Sequence, residues 1–376
     1  MAVISLRLLV AESYRLSAVG RLAAGLRSRA LVLGLGLGVG LGIGAADPLA
    51  ARAVTPELAD RGAVILVYHR FGEGDHPSTN ITLEQFDAHL AILTSGRYDV
   101  RPLPEIVAAL AEGRPLPPRT VGISIDDAYL SVWTEAWPRL STAGLPFTLF
   151  VATDSVDRET PRSMTWSQLR ELAASPLVTI GSQTASHPHM PEQSPERNRQ
   201  EILRSHARFE RELGSRPSLF AYPFGEFSLA VRDLVATEGF RAAFGQHSGA
   251  AGHASDPFRL PRFALNEAYG TPERFSLVVE TLPLPALDIT PDDPLIGPND
   301  NPPAYGFTVP RSVGSLNGLQ CYAGRGNEAR LQRLDRRIEV RFAAPLRPGR
   351  TRVNCTMPGP DGRWRWLGRQ FYLPAR

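Results

Sequence analysis

Short apolar runs alternate with longer helical stretches from Ala63 onward, and this alternation constrains the fold more than any other feature of the chain. Strands separated by helices in this order predict a parallel sheet or barrel, with functional side chains at the carboxyl ends of the strands. The predicted strands are Val64–Tyr68, Val121–Ile125, Phe147–Val151, Val178–Ile180, Leu219–Ala221 and Ala242–Phe244.

Two of the intervening stretches begin with a recognisable helix start. Thr82 is followed by Gln85, and Thr165 by Gln168, which is the spacing of a capping box. We therefore expect helices that begin directly after Thr82 and Thr165.

The pattern changes after residue 282. Residues 283–303 are dense in Pro and Asp, which predicts a linker without regular structure. Residues 304–376 contain short alternating segments separated by Pro-Gly turns, which predicts a small antiparallel β-sandwich. Its predicted strands are Gly318–Tyr322, Arg337–Phe342, Arg350–Thr356 and Trp364–Tyr372.

Both cysteines, Cys321 and Cys355, fall in the predicted sandwich. In an oxidising compartment they can form one disulfide, and the alternative is a pair of buried thiols.

Residues 1–53 are typical of a targeting segment. Arg27 and Arg29 precede an uncharged run over residues 30–46, and residues 51–53 form a small-x-small cleavage site. A retained anchor is the alternative, because the run is close to the shortest membrane span of about 17 residues. We expect an exported protein, either periplasmic or anchored to the inner membrane.

Charge is unevenly distributed along the chain. Residues 301–376 carry 14 arginines against four acidic residues, whereas residues 54–300 have a net charge of −11. The basic tail would attract an anionic envelope polymer, and Trp364 and Trp366 would stack on sugars. The alternative, which we favour, places the tryptophans in the sandwich core. Nucleic acid is not an expected partner of an exported protein.

Two adjacent carboxylates, Asp126 and Asp127, follow the predicted strand that begins at Val121. One can bind a cation while its neighbour acts as a general base on a bound water. Taken alone, such a pair is more often a helix cap or a surface turn.

Polar side chains also follow the predicted strand at Val178–Ile180. Gln183 and His187 are four residues apart, so one turn of helix would place both on one face. His187 and His189 can bind a metal as neutral imidazoles, although two ordinary loop histidines are an equally good interpretation. A third segment, Phe220–Glu226, ends a strand in a Pro-aromatic-Gly turn that could line a groove.

Together and in this order, the three segments resemble the polysaccharide deacetylases, the carbohydrate esterase family with the NodB homology domain. The resemblance covers about residues 63–266, and Val67–Phe71 and Phe220–Glu226 are similar to the poly-N-acetylglucosamine deacetylase subgroup. It implies a distorted (β/α) barrel over residues 54–282. It also implies a divalent metal, zinc foremost and cobalt or nickel as alternatives, and an N-acetylated glycan as substrate.

The resemblance assigns roles residue by residue. Ser124–Ala128 matches the motif Thr-Phe-Asp-Asp-Gly, which makes Asp126 the base and Asp127 a metal ligand. His187 falls on the second ligand of the motif His-Ser/Thr-x-x-His, and Gln183 replaces the first. An amide oxygen is a poorer ligand than imidazole for zinc.

Further departures concern the other ligands and the acid. His189 or His69 would complete the metal site instead of Gln183. Ala221 stands where the family has an arginine that orients the base. Arg262 stands where it has the histidine general acid, and a guanidinium cannot donate a proton near neutral pH.

The nearest substitute acid in the sequence is His247. The expected substrate groove comprises His69, Tyr222, Pro223, Phe224, Gly225 and Arg262.

The expected function is metal-dependent removal of N-acetyl groups from an oligo- or polysaccharide that contains N-acetylglucosamine. Gln183, Ala221 and Arg262 favour a first alternative, a non-catalytic glycan-binding protein on the same scaffold. A second alternative is a different metal-dependent amidase, acting on a small amide or imide.

Overall fold

The computed structural model describes residues 55–324 and 326–375. The predicted targeting segment, residues 1–53, lies outside the described residues. Within the described part of the chain, no helix is both long and apolar enough to cross a membrane.

The described residues form helices and strands of short to moderate length. The helices are α1 (Pro56–Ala59), α2 (Leu83–Leu93), α3 (Leu103–Glu112), α4 (Trp137–Thr142), α5 (Thr153–Asp157), α6 (Trp166–Ala173), α7 (Pro195–Leu213), α8 (Leu229–Thr237) and α9 (Pro272–Val279). The strands are β1 (Gly62–Tyr68), β2 (Arg70–Phe71), β3 (Asn80–Ile81), β4 (Asp99–Val100), β5 (Thr120–Asp126), β6 (Phe147–Val151), β7 (Val178–Ser182), β8 (Leu219–Ala221), β9 (Ala242–Phe244), β10 (Ala250–Gly252), β11 (Phe263–Ala264), β12 (Leu282–Pro283), β13 (Leu287–Thr290), β14 (Tyr305–Thr308), β15 (Gln320–Ala323), β16 (Ala329–Leu334), β17 (Arg337–Phe342), β18 (Gly349–Pro358) and β19 (Trp364–Leu373).

Both predicted capping boxes are present. The Thr82 side chain accepts a hydrogen bond from the Gln85 amide at the start of α2, and the Gln85 side chain accepts one from the Thr82 amide. Thr165 and Gln168 exchange the same two bonds at the start of α6. Each box satisfies two backbone N–H groups that would otherwise lack partners.

Nine strands form one curled sheet in the order β10-β1-β5-β6-β7-β8-β9, with β4 beside β5 and β11 beside β1. The pairs from β1 to β9 are parallel, and β10 is antiparallel to β1. Strands β1 and β5 are almost entirely buried, as expected where helices cover a parallel sheet. All six strands predicted for this region are present.

A short segment after β10 connects the two ends of this sheet. Leu260 forms a parallel bridge with Phe244 at the end of β9, and β11 pairs with the C-terminal half of β1. Arg262 lies between these two contacts and is therefore fixed by the strands on both sides.

The predicted sandwich consists of two four-stranded sheets, β12-β19-β18-β15 and β13-β14-β17-β16. One apolar cluster draws on both sheets, with Phe307 and Val340 from one and Val353 and Phe371 from the other. Cys321 and Cys355, paired on β15 and β18, form a disulfide. Of the two alternatives for the cysteines, the disulfide is confirmed.

The Pro- and Asp-rich segment 283–303 was expected to lack regular structure, and this expectation is wrong in part. Pro283 ends β12, which pairs with β19, and β13 pairs with β14. Proline is tolerated in edge strands because its missing N–H can face away from the ladder. Both strands lie at sheet edges, so the segment is built into the sandwich.

The tryptophans lie outside the sandwich core, contrary to the favoured expectation. Trp366 packs against the nine-stranded sheet, with its ring 5.2 Å from that of Phe263 and nearly perpendicular to it. Trp364 is 41% exposed. Phe371 and Tyr305 fill the space that the tryptophans were expected to occupy.

The backbone of the sandwich contacts the backbone of the barrel at Gly368. A Cβ atom on Gly368 would lie 1.9 Å from the carbonyl oxygen of Ser248. Because real atoms never approach so closely, this contact requires glycine.

A buried histidine anchors α2. The ring of His89 is fully buried, its Nδ1 lies 3.0 Å from the Tyr68 hydroxyl, and its Nε2 lies 2.8 Å from the carbonyl oxygen of Gly270. Burial lowers the pKa of His89 to about 4, although the bond to Gly270 opposes this shift.

We predict that His89 makes the protein sensitive to acid. The unfolded state takes up a proton at His89 near pH 6.5, but the folded state does so only near pH 4. Stability from this group is therefore complete above pH 6.5 and falls as the pH decreases toward 4, by about 2 kcal/mol at pH 5.

Urea unfolding at pH 7 and pH 5 measures this loss. His89→Gln should show a smaller loss than the wild type, and His76→Gln, at a half-buried position, serves as the control. Equal losses in the wild type and His89→Gln would contradict the prediction.

Candidate active site

The predicted base, Asp126, ends β5 and is held by Arg262. The guanidinium donates to both carboxylate oxygens, with 2.7 Å from Nη1 to Oδ1 and 2.8 Å from Nη2 to Oδ2. Both side chains have 0% exposure. Arg262 also donates to the carbonyl oxygen of Gly245 and to the hydroxyl of Ser124. The planar fork of arginine suits this bidentate arrangement.

This geometry changes the interpretation of two departures from the family pattern. Arg262 was expected in the groove, at the place of the general acid, but it is buried and orients the Asp126 carboxylate. Ala221, where the family arginine was expected, packs in an apolar cluster. An arginine that orients Asp126 is therefore present, and it comes from the segment between β10 and β11.

Two further side chains lie near the Asp126 carboxylate. Nε2 of His69 is 3.9 Å from Oδ2, and Nε2 of Gln246 is 3.4 Å from the same oxygen. His69 was expected in the groove, and the structure places it directly beside the predicted base. Sequence analysis missed Gln246, although it belongs to the segment that was searched for a general acid.

The predicted metal ligands Asp127 and His187 lie together, with 3.6 Å between Oδ1 and Nε2. Burial lowers the pKa of His187, while the charges of Asp127 and Asp126 oppose this effect. The ring is therefore neutral at physiological pH, the form that binds a metal.

The backbone at this site is strained. Asp127 has a φ of 75°, His187 of 59° and Thr184 of 69°. Such conformations cost about 1–3 kcal/mol each in residues other than glycine, and they concentrate at functional sites. The hydroxyl of Thr184 accepts a hydrogen bond from the His187 amide, which fixes the turn that presents the imidazole.

Gln183, at the position of the missing histidine ligand, is 1% exposed. Its Oε1 has no hydrogen-bond partner among the described residues. A buried carbonyl oxygen without a partner is costly, and a cation would satisfy it. Asp127, His187 and Gln183 thus provide the donor types that a divalent metal needs. Residues 55–324 and 326–375 contain no group of three or more His, Cys, Asp and Glu that could hold a metal ion.

His189 has other partners. Its Nδ1 lies 2.6 Å from Oε2 of Glu226, and its ring stacks on Phe224 with 4.2 Å between centroids. The ring of His187 meets the same phenylalanine edge-on at 4.5 Å. These contacts place His189 in an aromatic wall around Phe224, and they argue against it as a replacement metal ligand.

Of the four groove residues predicted in the third segment, Phe224 alone is partly accessible. Tyr222, Pro223 and Gly225 are buried, and the Tyr222 hydroxyl donates to the carbonyl oxygen of Phe258. Phe224 itself has a φ of 58°, and this strained turn directs its ring toward His187 and His189.

The sandwich supports this turn. Gln370 donates from Nε2 to the carbonyl oxygens of Gly225 and Phe224, at 2.9 and 3.3 Å. Arg350 donates to the Phe224 carbonyl oxygen and lies 3.4 Å from Glu226. Sequence analysis missed these contacts, because nothing in the sequence of β18 or β19 indicates which loop they meet.

The structure argues against His247 as the general acid. Its ring is buried in a cavity between the barrel and the sandwich. Burial, together with the positive charge of Arg369, lowers its pKa to about 3, so the ring is uncharged at neutral pH. Gln246, the preceding residue, is the one that faces Asp126.

A comparison with known families agrees with this arrangement. Residues 113–243 match the family model described as polysaccharide deacetylase. The chain is similar to the polysaccharide deacetylases over these residues. The match confirms the expected resemblance and the expected enzyme class, a deacetylase-like hydrolase of non-peptide carbon–nitrogen bonds. Asp126, Asp127, Gln183 and His187 lie inside the matched residues, whereas Arg262 lies beyond them.

A curated relative supports the deacetylase assignment. YxkH of Bacillus subtilis (strain 168), a protein named as a polysaccharide deacetylase, is 23% identical over 198 residues. The similar region makes up 53% of this chain and 69% of the relative.

Two solved deacetylase structures share the fold. PplD from Streptococcus pyogenes, solved in complex with acetate, superposes with a TM-score of 0.54 at 20% identity, over 58% of this chain and 98% of that chain. IcaB from Ammonifex degensii gives a TM-score of 0.52 at 24% identity, over 58% and 97% of the two chains. The expected distorted deacetylase barrel is thereby confirmed, with the additional β-sheets in the C-terminal region.

We predict that Arg262→Gln strongly destabilises the barrel. The substitution leaves the Asp126 carboxylate buried without its guanidinium, and breaking one side of a buried ion pair costs about 3–5 kcal/mol. The double variant Asp126→Asn/Arg262→Gln should recover part of the loss, because it buries no unpaired charge.

Urea unfolding gives the free energies of these variants. Arg216→Gln removes an exposed pair with Glu210 and should change stability far less, because water screens exposed pairs. Similar losses for Arg262→Gln and Arg216→Gln would refute the assignment of Arg262.

Proposed function

We propose that this deacetylase is a metal-dependent hydrolase that removes N-acetyl groups from an oligo- or polysaccharide containing N-acetylglucosamine. The observation that carries the proposal is the bidentate Arg262–Asp126 pair next to Asp127 and His187. It supplies an oriented base beside two metal-binding groups, although Ala221 and Gln183 depart from the family pattern.

When bound, a divalent metal, with zinc foremost, would hold a water and polarise the acetyl carbonyl, and Asp127, His187 and Gln183 would bind it. Asp126 takes the proton from the attacking water. A carboxylate has about four lone-pair sites, and Arg262 uses two of them. Gln246 occupies a third, which leaves about one site for this proton transfer.

We assign protonation of the leaving amine to His69. This histidine lies 3.9 Å from the Asp126 carboxylate, and its side chain is 13% exposed. It therefore reaches both the base and the surface of the site. A proton taken up by Asp126 has a short path to this imidazole and from there to the amine nitrogen.

The aromatic wall supports a glycan as the substrate. His189 stacks on Phe224, and its ring is nearly parallel to that of Tyr372 at 6.2 Å. Flat aromatic faces beside a polar site suit the apolar faces of sugar rings. The His189 side chain is 46% exposed, so the wall is accessible to a substrate.

The proposal also places the protein outside the cytoplasm, either in the periplasm or attached to the inner membrane. The Cys321–Cys355 disulfide supports export, because disulfides persist in oxidising compartments. Exposed arginines of the sandwich, such as Arg330 and Arg347, support an anionic envelope polymer as a partner.

The test is acetate release from N-acetylglucosamine oligomers by the full chain, with zinc, cobalt or nickel added. We predict release that falls by about a hundredfold or more in Asp126→Asn. His69→Gln should lower turnover while metal binding is retained. Asp233→Asn, at an exposed position on α8, should behave as the wild type.

Two outcomes would contradict the proposal. Acetate release that survives in Asp126→Asn would remove this residue from the mechanism. Release of a product other than acetate from a small amide would favour the alternative amidase.

A glycan-binding protein without catalysis is the second candidate. The full burial of Asp126 and the replacement of a histidine ligand by Gln183 favour it. Binding of N-acetylglucosamine oligomers that is weakened by Phe224→Ala, with no acetate released, would establish this candidate in place of the first.

We predict that Gln183→His strengthens zinc binding by roughly tenfold or more. An imidazole at this position would replace a neutral amide oxygen that is buried and has no hydrogen-bond partner among the described residues. Isothermal titration with zinc measures the change, and Asp127→Ala is the matched variant that should lose binding. Unchanged affinity in both variants would contradict the metal site.

A further inference from the structure

A cavity of about 290 Å³ lies between the barrel and the sandwich, and we propose that it binds a small organic carboxylate. Arg369 and His247 are among its polar lining residues, and Trp366, Tyr305 and Leu284 contribute apolar and aromatic walls. We name this space the sandwich cavity. Its volume is at the lower end of the range for ligand pockets, about 300–1,000 Å³, so it suits a small molecule.

Arg369 is the main reason to expect an anion. Its side chain is only 7% exposed, and its Nε has no hydrogen-bond partner among the described residues. Nη2 donates to the carbonyl oxygens of Pro291 and Asp292, at 2.9 and 2.6 Å. None of the described carboxylates lies within ion-pair distance of this guanidinium. A buried cation without a counterion is costly, and a bound carboxylate would offset this cost.

The acidic residues around the cavity are engaged elsewhere. Asp256 and Asp292 pair with Arg259, at 3.0 and 2.5 Å, and Asp288 is exposed at the rim. Arg369 is therefore left without a carboxylate partner among the described residues. These acids would also repel a ligand with two negative charges.

His247 adds a polar group without adding charge. Its ring is neutral at physiological pH, because burial and Arg369 disfavour the imidazolium. A neutral imidazole can accept or donate one hydrogen bond to a ligand. One guanidinium without a carboxylate partner, a neutral ring and aromatic walls together favour a monocarboxylate with an organic body over inorganic phosphate.

The sandwich cavity is separate from the proposed catalytic site. Asp126, Asp127, Gln183, His187 and Arg262 do not line it. The two sites share one segment, in which Gln246 contacts Asp126 and His247 lines the cavity. The inference therefore does not depend on the proposed deacetylation.

Isothermal titration of the full chain with glucuronate, glucose and inorganic phosphate tests the inference. Glucuronate combines one carboxylate with a sugar-sized body. We expect it to bind one to one and more tightly than glucose or phosphate. Arg369→Gln should weaken binding by about tenfold or more, because a charged hydrogen bond is lost.

Two further variants keep the test decisive. Ala254→Phe fills the cavity from a half-buried wall position and should abolish binding even if Arg369→Gln fails to fold. Arg330→Gln, on the exposed face of β16, is the matched control and should leave binding unchanged. Absence of glucuronate binding, equal binding of glucose or phosphate, or full binding by folded Ala254→Phe would overturn the inference.

Discussion

The buried ion pair between Arg262 and Asp126 is the interaction on which the rest of the site depends. Two charges removed from water are stable only when their geometry is good and their remaining hydrogen bonds are satisfied. Arg262 meets this condition with two bonds to the carboxylate, one to Gly245 and one to Ser124. The segment that carries it must therefore run between β9 and β1, and the loop after β9 brings Gln246 to the same carboxylate.

The second constraint comes from the sandwich. The turn that presents Phe224 is strained, and the side chains of Gln370 and Arg350 hold its carbonyl oxygens. The turn that carries Phe224 thus belongs to the barrel, and side chains of the sandwich hold it in place. Because the Phe224 turn depends on the sandwich, the barrel and the sandwich pack closely together, down to the backbone contact at Gly368.

Much of this arrangement could be predicted from local sequence. Strand periodicity and capping boxes are local signals, and the Asp126–Asp127 pair directly follows a strand. The partner of Asp126 could not be predicted, because Arg262 lies 136 residues away and only the closed sheet brings them together. Ala221 therefore suggested that the arginine beside Asp126 is missing, whereas the segment between β10 and β11 supplies it as Arg262. The strands within 283–303 were missed because proline content does not reveal an edge position in a sheet.

The central claim is that Asp127 and His187 hold a divalent metal beside the oriented Asp126 base. Anomalous diffraction at the zinc edge, from crystals of the full chain soaked with zinc and an N-acetylglucosamine trimer, tests it most directly. The account predicts an anomalous peak within bonding distance of Asp127 and His187, with an acetyl group next to Asp126. A folded protein with the trimer bound and no peak at these two residues would contradict it.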